Sequence, residues 1–518
     1  MSQPIMAVAG LFLAFNTVAW GGWPGWRGPH GNGSQPEAVP LLSVLPEDGL
    51  PLLWKHAPLP GDKAGGFGSP VIKDGRVYQF IAWRKNRAIA ERRLARREIE
   101  RRLGRAATDL PAELLATVEL IRCSGELNEL RGRQRNDWVS AWMKENLEEG
   151  IDGNHRRFIE DRLRRGADAL ELPVLEKIHA VADTRFSDEA AFSAWIMEAE
   201  LDEASAAAVR GIVPTSEEYA DDTVVCIELE SGKTIWSSSF ENQATGWGAS
   251  TTPFVADGRI FAAGAAGAVY CLNAEDGKLL WQTSVGNREI NSSPVYYDGR
   301  VFIQAGELTA LDAASGEVLW RNRDGRGNNA SPVLWRRGDD VYILTGGANL
   351  ACIEPVSGET HWKVSGGHND VTPTVTGDLV AVQKGSGFQI YRISPDEAIE
   401  VGDSAEGKTR GGSMTAHDGR FYVSGAAAAL GINGADGTVL WNVKGSEEEF
   451  SCAVIADGKL ISPARRGGLT VLDAASGETL YTVPGVGALR CTTPALAQGR
   501  LLVRTGNALH CYDLRAGQ

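Results

Sequence analysis

The chain has 518 residues, 43% of them hydrophobic and 61 of them glycine, and a formal net charge of −14. That length accommodates a full repeat array plus one further domain, and the glycine content suits a β-rich protein with many turns. The acidic balance speaks against non-specific nucleic-acid binding, which needs a basic face to neutralise phosphates.

The first element is apolar. Residues 5–19, from Ile5 to Ala19, read as the h-region of a signal peptide with cleavage after Ala19, although no Lys or Arg precedes it. A membrane-tethered or buried N-terminus is the alternative, so residues 1–20 are assigned as a signal peptide or N-terminal anchor. The protein is accordingly expected to be exported to the periplasm or cell envelope. No later apolar run is long enough to span a bilayer. The first cysteine is Cys123, so none stands where a lipoprotein anchor would be attached.

Residues 21–83 carry an opening segment, a strand candidate at Leu52–Lys55 and the start of a repeat. The repeat then fills residues 221–518. Its clearest half is a strand, a turn and a second strand ending in an aromatic residue: Cys226 to Trp236, Leu272 to Trp281, Leu311 to Trp320, Ile353 to Trp362, Ile432 to Trp441 and Leu472 to Tyr481. In step with it, turn signals at Asp74-Gly75, Asp257-Gly258, Asp298-Gly299, Gly338-Asp339, Gly377-Asp378, Asp418-Gly419, Asp457-Gly458 and Gln498-Gly499 divide pairs of short apolar runs. Such dipeptides reach the positive φ that tight hairpins demand. Ser/Thr-Pro pairs such as Ser293-Pro294 mark the first strand of each unit, where proline's missing donor does no harm.

A period of about 40 residues built from four strands implies a radial array, because one such sheet cannot cover both of its own faces. The fold class predicted is an all-β, eight-bladed β-propeller of four-stranded antiparallel blades. The last unit runs out before a fourth strand, and Leu52–Lys55 is expected to supply it and close the ring. The aromatic residue of each outer strand is expected to pack between blades. Cys226, Cys271, Cys352 and Cys511 share one slot of the repeat and read as small buried thiols rather than as disulfides or metal ligands.

Between the first two turn signals the repeat is interrupted by residues 84–220, which are rich in Ala, Glu, Arg and Leu. This α-helical insertion falls between the second and third strands of the first blade, on the face where blade joins blade, and is expected beside the channel mouth. Arg84 to Arg105 reads as an Arg-rich helix, followed by helices near 111–131, 136–149, 153–166, 171–182 and 188–209. The arginines invite a nucleic-acid or anionic-lipid reading. Against it, the insertion holds 27 acids to 23 bases, so pairing within the insertion is favoured.

The run Leu311-Asp312-Ala313-Ala314-Ser315-Gly316-Glu317-Val318-Leu319-Trp320 resembles the tryptophan-bearing motif of pyrroloquinoline-quinone-like (PQQ-like) propeller repeats. Trp26-Arg27-Gly28-Pro29-His30-Gly31-Asn32-Gly33 is similar to the opening segment of a bacterial subgroup of that family. The resemblance implies eight blades. Its members include quinoprotein alcohol dehydrogenases and the propeller lipoprotein of the outer-membrane barrel assembly machinery, so it spans enzymes and scaffolds.

Residues just before the inner strands are expected to line the channel mouth: Trp247, Arg288, Asn291, Arg326, Asn328, Asn329, His368, Asn369, Asp370, Arg410 and Arg490. Guanidinium forks and amides converging there suit an anion, a sugar or a peptide, while loop ends are also polar simply because they are wet. No catalytic residue and no metal ligand is assigned. The family's dehydrogenases imply a vicinal disulfide, a calcium ion and a catalytic Asp; this chain has no adjacent cysteines, and Asn369-Asp370 is its one acid–amide pair at the mouth. No cofactor is therefore expected, with PQQ and calcium kept for the alternative reading. The favoured reading is a non-enzymatic scaffold binding a protein or envelope component through the mouth face and the insertion. The alternative is a quinone-dependent oxidoreductase or another enzyme on the same ring.

Overall fold

A computed structural model describes residues 22–36, 38–106, 109–264, 266–286, 290–365, 371–384, 387–404, 412–424, 428–445, 451–464 and 467–517. The signal-peptide assignment at 1–20 lies outside them. Among the described residues no helix is long and apolar enough to cross a membrane. The chain divides into two compact units, one formed by the chain up to Lys85 and from Tyr219 onward, the other by Asn86–Glu218.

The first unit is an eight-bladed propeller of four-stranded antiparallel sheets. In the first blade the strands are Val71–Lys73, Arg76–Ala88, Ser216–Glu228 and Thr234–Gln243, so the second unit is inserted between the second and third. The eighth blade takes its outer strand from the other end of the chain. Leu52–His56 pairs antiparallel with Leu509–Asp513, with Trp54 opposite Cys511, and the ring is closed as the sequence implies.

The turn signals behave as their chemistry requires. Asp257, Asp298, Asp418 and Asp457 have φ of 46–48° and each is followed by a glycine at positive φ. The cysteine slot also acquires a geometric reason. Cys226, Cys271, Cys352 and Cys511 stand directly opposite Trp236, Trp281, Trp362 and Trp54 on the neighbouring strand, where only a small residue fits beside the indole. All four are fully buried free thiols. Burial pushes Cys271, Cys352 and Cys511 up to about 12, which keeps them protonated and inert.

The indoles reach the next blade. Trp54, Trp236, Trp281, Trp320, Trp362 and Trp441 each donate Nε1–H to a turn carbonyl there, from Leu229, Ala274, Ala313, Pro355, Ser394 and Ala474 at 2.7–3.3 Å. Nearer the channel a second seam links the blades. Thr493 N donates to Ser69 Oγ (2.9 Å), Ser69 N to Thr252 Oγ1 (3.0 Å), Thr252 N to Ser293 Oγ (3.0 Å) and Ser293 N to Ser331 Oγ (2.9 Å). The chain of links continues from Ser331 N to Thr372 Oγ1 (2.8 Å), from Thr372 N to Ser413 Oγ (3.0 Å) and from Ser413 N to Cys452 Sγ (3.3 Å). Six hydroxyls and one thiol that precede inner strands thus each satisfy a backbone donor of the preceding blade, at a depth where an unpaired N–H is costly.

The segment 22–36 runs across the inner strands. Trp23 bridges Ile72 and Ser34 bridges Ile455, while Pro24 O, Asn32 O and Gly33 O accept from Val255 N, Ala416 N and Ile455 N. Arg27 is fully buried with no carboxylate; its guanidinium donates to Thr374 Oγ1 (2.9 Å), Pro373 O and Met414 O.

The helical unit departs from expectation at its edges. Arg84–Arg105 is not one helix: the strand Arg76–Ala88 runs through its start, Arg92–Arg93 pairs with Arg185–Phe186, and only Arg96–Arg102 is helical. Asp183 Oδ1 accepts from Arg96 N (3.1 Å), which starts the helix there. The 111–131 and 188–209 expectations each divide in two, because Ser124 and Asp202 cap fresh helices by accepting from Leu127 N and Ser205 N. The unit has two apolar clusters, one around Ile99, Ile178, Phe192 and Val209, the other around Val118, Val139, Phe158 and Leu163.

Most of its arginines are paired internally. Arg92 meets Glu189 (2.8 Å), Arg93 and Arg96 meet Asp183, Arg101 meets Glu98 and Arg105 meets Glu100. At the centre Arg162, fully buried, holds Glu119 through Nε (2.7 Å) and Nη2 (2.7 Å), and Arg122 Nε donates to the same carboxylate (2.6 Å).

Candidate functional site

The loops that precede the inner strands build the mouth face. Phe67, which follows a left-handed Gly66, is fully buried, and Trp247 stacks on it with ring centroids 5.5 Å apart and planes 25° apart. Arg490, from the loop before the eighth blade, lies over both rings, 5.3 Å from the Phe67 centroid and 5.0 Å from that of Trp247. Asp62 holds the guanidinium from the side, Oδ1 accepting from Nη2 at 3.2 Å. The Asp62 segment is itself held by buried Arg504, whose Nη2 donates to Pro60 O at 2.6 Å.

The arc continues through the next blades. Asn291 Oδ1 accepts from Ser250 N (3.1 Å), Asn291 Nδ2 donates to Asn329 Oδ1 (3.1 Å), and Asn328 O accepts from Asn291 N (2.8 Å) and Ser292 N (2.9 Å). Of the mouth residues expected from sequence, the structure therefore joins Trp247 with Arg490, and Asn291 with Asn328 and Asn329. Arg326 is exposed and stands with Arg321 and Arg323 around Glu307 in a separate surface depression. Arg288, His368, Asn369, Asp370 and Arg410 lie outside the described residues. Asp62 and the hydroxyl seam were missed; the Ser/Thr that recurs before seven of the eight inner strands was a readable signal for the seam, whereas nothing local marks Asp62.

Chemically, the mouth offers a half-exposed indole under a guanidinium, with amides beside it. Such a platform accepts flat or apolar groups by stacking and carbonyl oxygens by hydrogen bonding. Its described residues do not fit a calcium-held quinone. Calcium takes six to eight oxygens, whereas Asp62, the carboxylate next to Trp247, is engaged by Arg490, and the amide oxygens of Asn291 and Asn329 are engaged by each other and by Ser250. Among the described residues no group of three or more His, Cys, Asp or Glu side chains converges.

A cavity of about 320 Å³ lies inside the ring, between segment 22–36 and the inner strands of the blades that carry Val295, Val333 and Val375. It extends from the hydroxyl seam at Ser293, Ser331 and Thr372 to the turn end at Arg336, Gly377 and Asp418. On its wall Ser34 Oγ is 2.8 Å from His417 Nδ1, and His417 Nε2 is 3.3 Å from Asp418 Oδ2, in the order of a hydrolytic triad. The oxyanion donors such chemistry needs are already committed: Ser34 N donates to Asn32 Oδ1 and Gln35 N to Ile455 O. The contact instead ties the N-terminal segment to the sixth blade.

Comparison with known proteins adds the family. The family model described as "Outer membrane protein assembly factor BamB" matches residues 220–363, 304–408 and 389–518. No curated protein matches. Among solved structures the chain is similar to BamB from Moraxella catarrhalis, at 15% identity and a TM-score of 0.47 over 57% of this chain and 93% of that one. It is also similar to a europium-containing methanol dehydrogenase, at 12% identity and a TM-score of 0.43 over 57% and 81% of the two chains. A third is the quinohemoprotein alcohol dehydrogenase from Comamonas testosteroni, at 14% identity and a TM-score of 0.44 over 57% and 72%. With a match from residue 220 to 518, more than half its length, the chain belongs to the PQQ-like β-propeller family whose model is described as outer membrane protein assembly factor BamB.

Proposed function

We propose that this propeller is an exported, envelope-associated scaffold that binds a protein partner through its mouth face and its helical insertion, and that it is not an enzyme. The observation that carries the reading is the sandwich of Phe67, Arg490 and Trp247. An indole 37% exposed and capped by a guanidinium is costly to leave in water and well suited to a contact. Trp and Arg dominate the energetics of protein interfaces, and a rigid ring presents them without ordering cost. The apolar run at 5–19 supports export. The family description names an assembly factor, a role exercised through contacts with other proteins.

The test is a photo-crosslinking residue at position 247 in cells, with fractionation of the envelope. A discrete adduct in the envelope fraction that is lost on Arg490→Ala supports the reading. Cytosolic recovery of the full-length chain overturns the localisation. Stoichiometric PQQ binding with dye-linked alcohol oxidation by the purified protein overturns the scaffold reading itself.

A further inference from the structure

The cavity inside the ring is not used by the mouth-face reading, and its charged side chains are gathered at its turn end. Trp26 and Pro29 from the N-terminal segment and Phe254, Val295 and Val333 from the inner strands supply its apolar lining, and the hydroxyls of Ser293, Ser331 and Thr372 lie at one end. At its turn end stand His30 and Arg336, both exposed. Among the described residues Arg336 has no ion pair and no hydrogen bond; its guanidinium rests 5.6 Å over the ring of Tyr297. Its neighbour Arg337, by contrast, has Asp378 at 3.6 Å. Among the described residues His30 has no hydrogen-bond partner either, and the partial desolvation of its ring, followed by the Arg336 charge, holds its imidazole below the ordinary range, so at neutral pH it offers one neutral N–H. The one carboxylate lining that end, Asp418, is turned largely to solvent and has His417 Nε2 at 3.3 Å, while His417 Nδ1 is engaged by Ser34.

We propose that this cavity binds a small aromatic carboxylate, with its ring between Trp26 and Val333 and its carboxylate at the Arg336 guanidinium and the His30 N–H. Volume permits it: roughly 150 Å³ holds benzene, and the 320 Å³ here leaves room for a short acidic tail. A guanidinium fork and an imidazole donor match a planar carboxylate, and the apolar walls reward a ring over a sugar or a phosphate. The charge requirement follows from Arg336, whose guanidinium has no ion-pair partner among the described residues, while Asp418 at the same end faces solvent beside His417.

The experiment titrates the intact protein calorimetrically with 3-phenylpropionate and with its neutral isostere 3-phenylpropionamide. The acid is expected to bind at least roughly tenfold more tightly than the amide, about 1.4 kcal/mol. Arg336→Gln should abolish that preference and His30→Gln should reduce it, while Arg323→Gln, in the separate arginine cluster, should leave it unchanged. Both altered side chains are exposed, so their loss does not threaten the fold, and an unchanged thermal transition verifies that. Equal binding of acid and amide, no heat from the acid up to about 10 mM, or acid binding indifferent to Arg336→Gln would each overturn the proposal. Failure of the mouth-face crosslink leaves this outcome untouched, since the two sites share no residue.

Discussion

Gly316 of the third blade lies flat against the indole of Trp281 in the second: a Cβ there would stand 2.6 Å from Trp281 Cδ2 and Cε3. Gly232, Gly277, Gly358 and Gly477 bear the same relation to Trp54, Trp236, Trp320 and Trp441. The glycine of the repeat motif and the tryptophan of the preceding copy are thus two halves of one blade-to-blade contact.

This contact separates two costs that a glycine substitution usually merges. Gly316 (φ 77°) and Gly299 (φ 72°) share a left-handed backbone, but nothing lies within 4 Å of a Cβ at Gly299. Gly299→Ala should cost about 1 kcal/mol from backbone strain alone. Gly316→Ala should cost about 3 kcal/mol, because the indole must also move out of a packed interface. Urea unfolding followed by tryptophan fluorescence checks the pair; equal costs would mean that the indole yields freely.

A second prediction concerns pH. Asp222, 1% exposed, accepts from Asn242 Nδ2 (2.7 Å) and Tyr270 OH (2.9 Å), yet burial pushes its carboxyl up to about 6. In the unfolded chain an Asp titrates near 3.9, so between about pH 4 and pH 6 the folded state holds the proton more tightly. Stability from this group is therefore greatest below about pH 4, falls as pH rises to about 6, and is lower by about 3 kcal/mol above that. Asp222→Asn removes the ionisation while keeping an acceptor. It should stabilise the propeller at pH 7.5 relative to the native chain, and the advantage should vanish at pH 4. An equal difference at both values would place the Asp222 carboxyl at an ordinary position.

Most of the propeller was legible in the sequence because its signals are local and repeated. A two-residue turn such as Asp298-Gly299 reveals its strands without reference to the rest of the chain. The same locality accounts for the strand at Leu52–His56, read as the missing eighth outer strand because Trp54 copies the repeat. The sites were less legible. Arg490 and Trp247 are far apart in sequence and meet only because the ring closes, and the cavity needs segment 22–36 as a wall. In the insertion, composition announced helix but not its interruptions, which depend on whether Ser124 and Asp202 turn their oxygens to a backbone N–H.

The helical unit supplies a third prediction. Glu119 is the shared partner of Arg162 and Arg122, whose side chains are 0% and 3% exposed. Removing it leaves fully buried Arg162 with only the Leu170 carbonyl, while Arg122 keeps Glu171 at 2.9 Å, and breaking a buried pair in this way costs about 3–5 kcal/mol. Glu119→Ala should unfold Asn86–Glu218 selectively, seen as lost helical circular dichroism and new protease cleavage within that span. The propeller's own transition should persist if the two units fold independently. Simultaneous loss of both would refute independence.

The last prediction tests why a bare cation is buried beneath the N-terminal segment. Arg27 is fully buried, and burial lowers its guanidinium to about 10. The sign matters here: a base whose folded pKa lies below its unfolded one gains stability only as pH rises above that folded value. Below about pH 9 both states are protonated and the contribution is constant. Arg27 therefore remains charged at neutral pH and is sustained by Thr374 Oγ1, Pro373 O and Met414 O. Arg27→Ala removes the donor to Pro373 O and Thr374 Oγ1, leaves Met414 O with Thr374 Oγ1 alone, and opens a cavity, for an expected loss of about 3 kcal/mol. Arg27→Met fills most of the space and removes the buried charge but restores no donor, for an expected loss of about 1–2 kcal/mol. Both losses should be the same at pH 5 and pH 8. If Arg27→Met proves as stable as the native chain, the carbonyls have found water, and the segment is held by Trp23 and the backbone bridges alone.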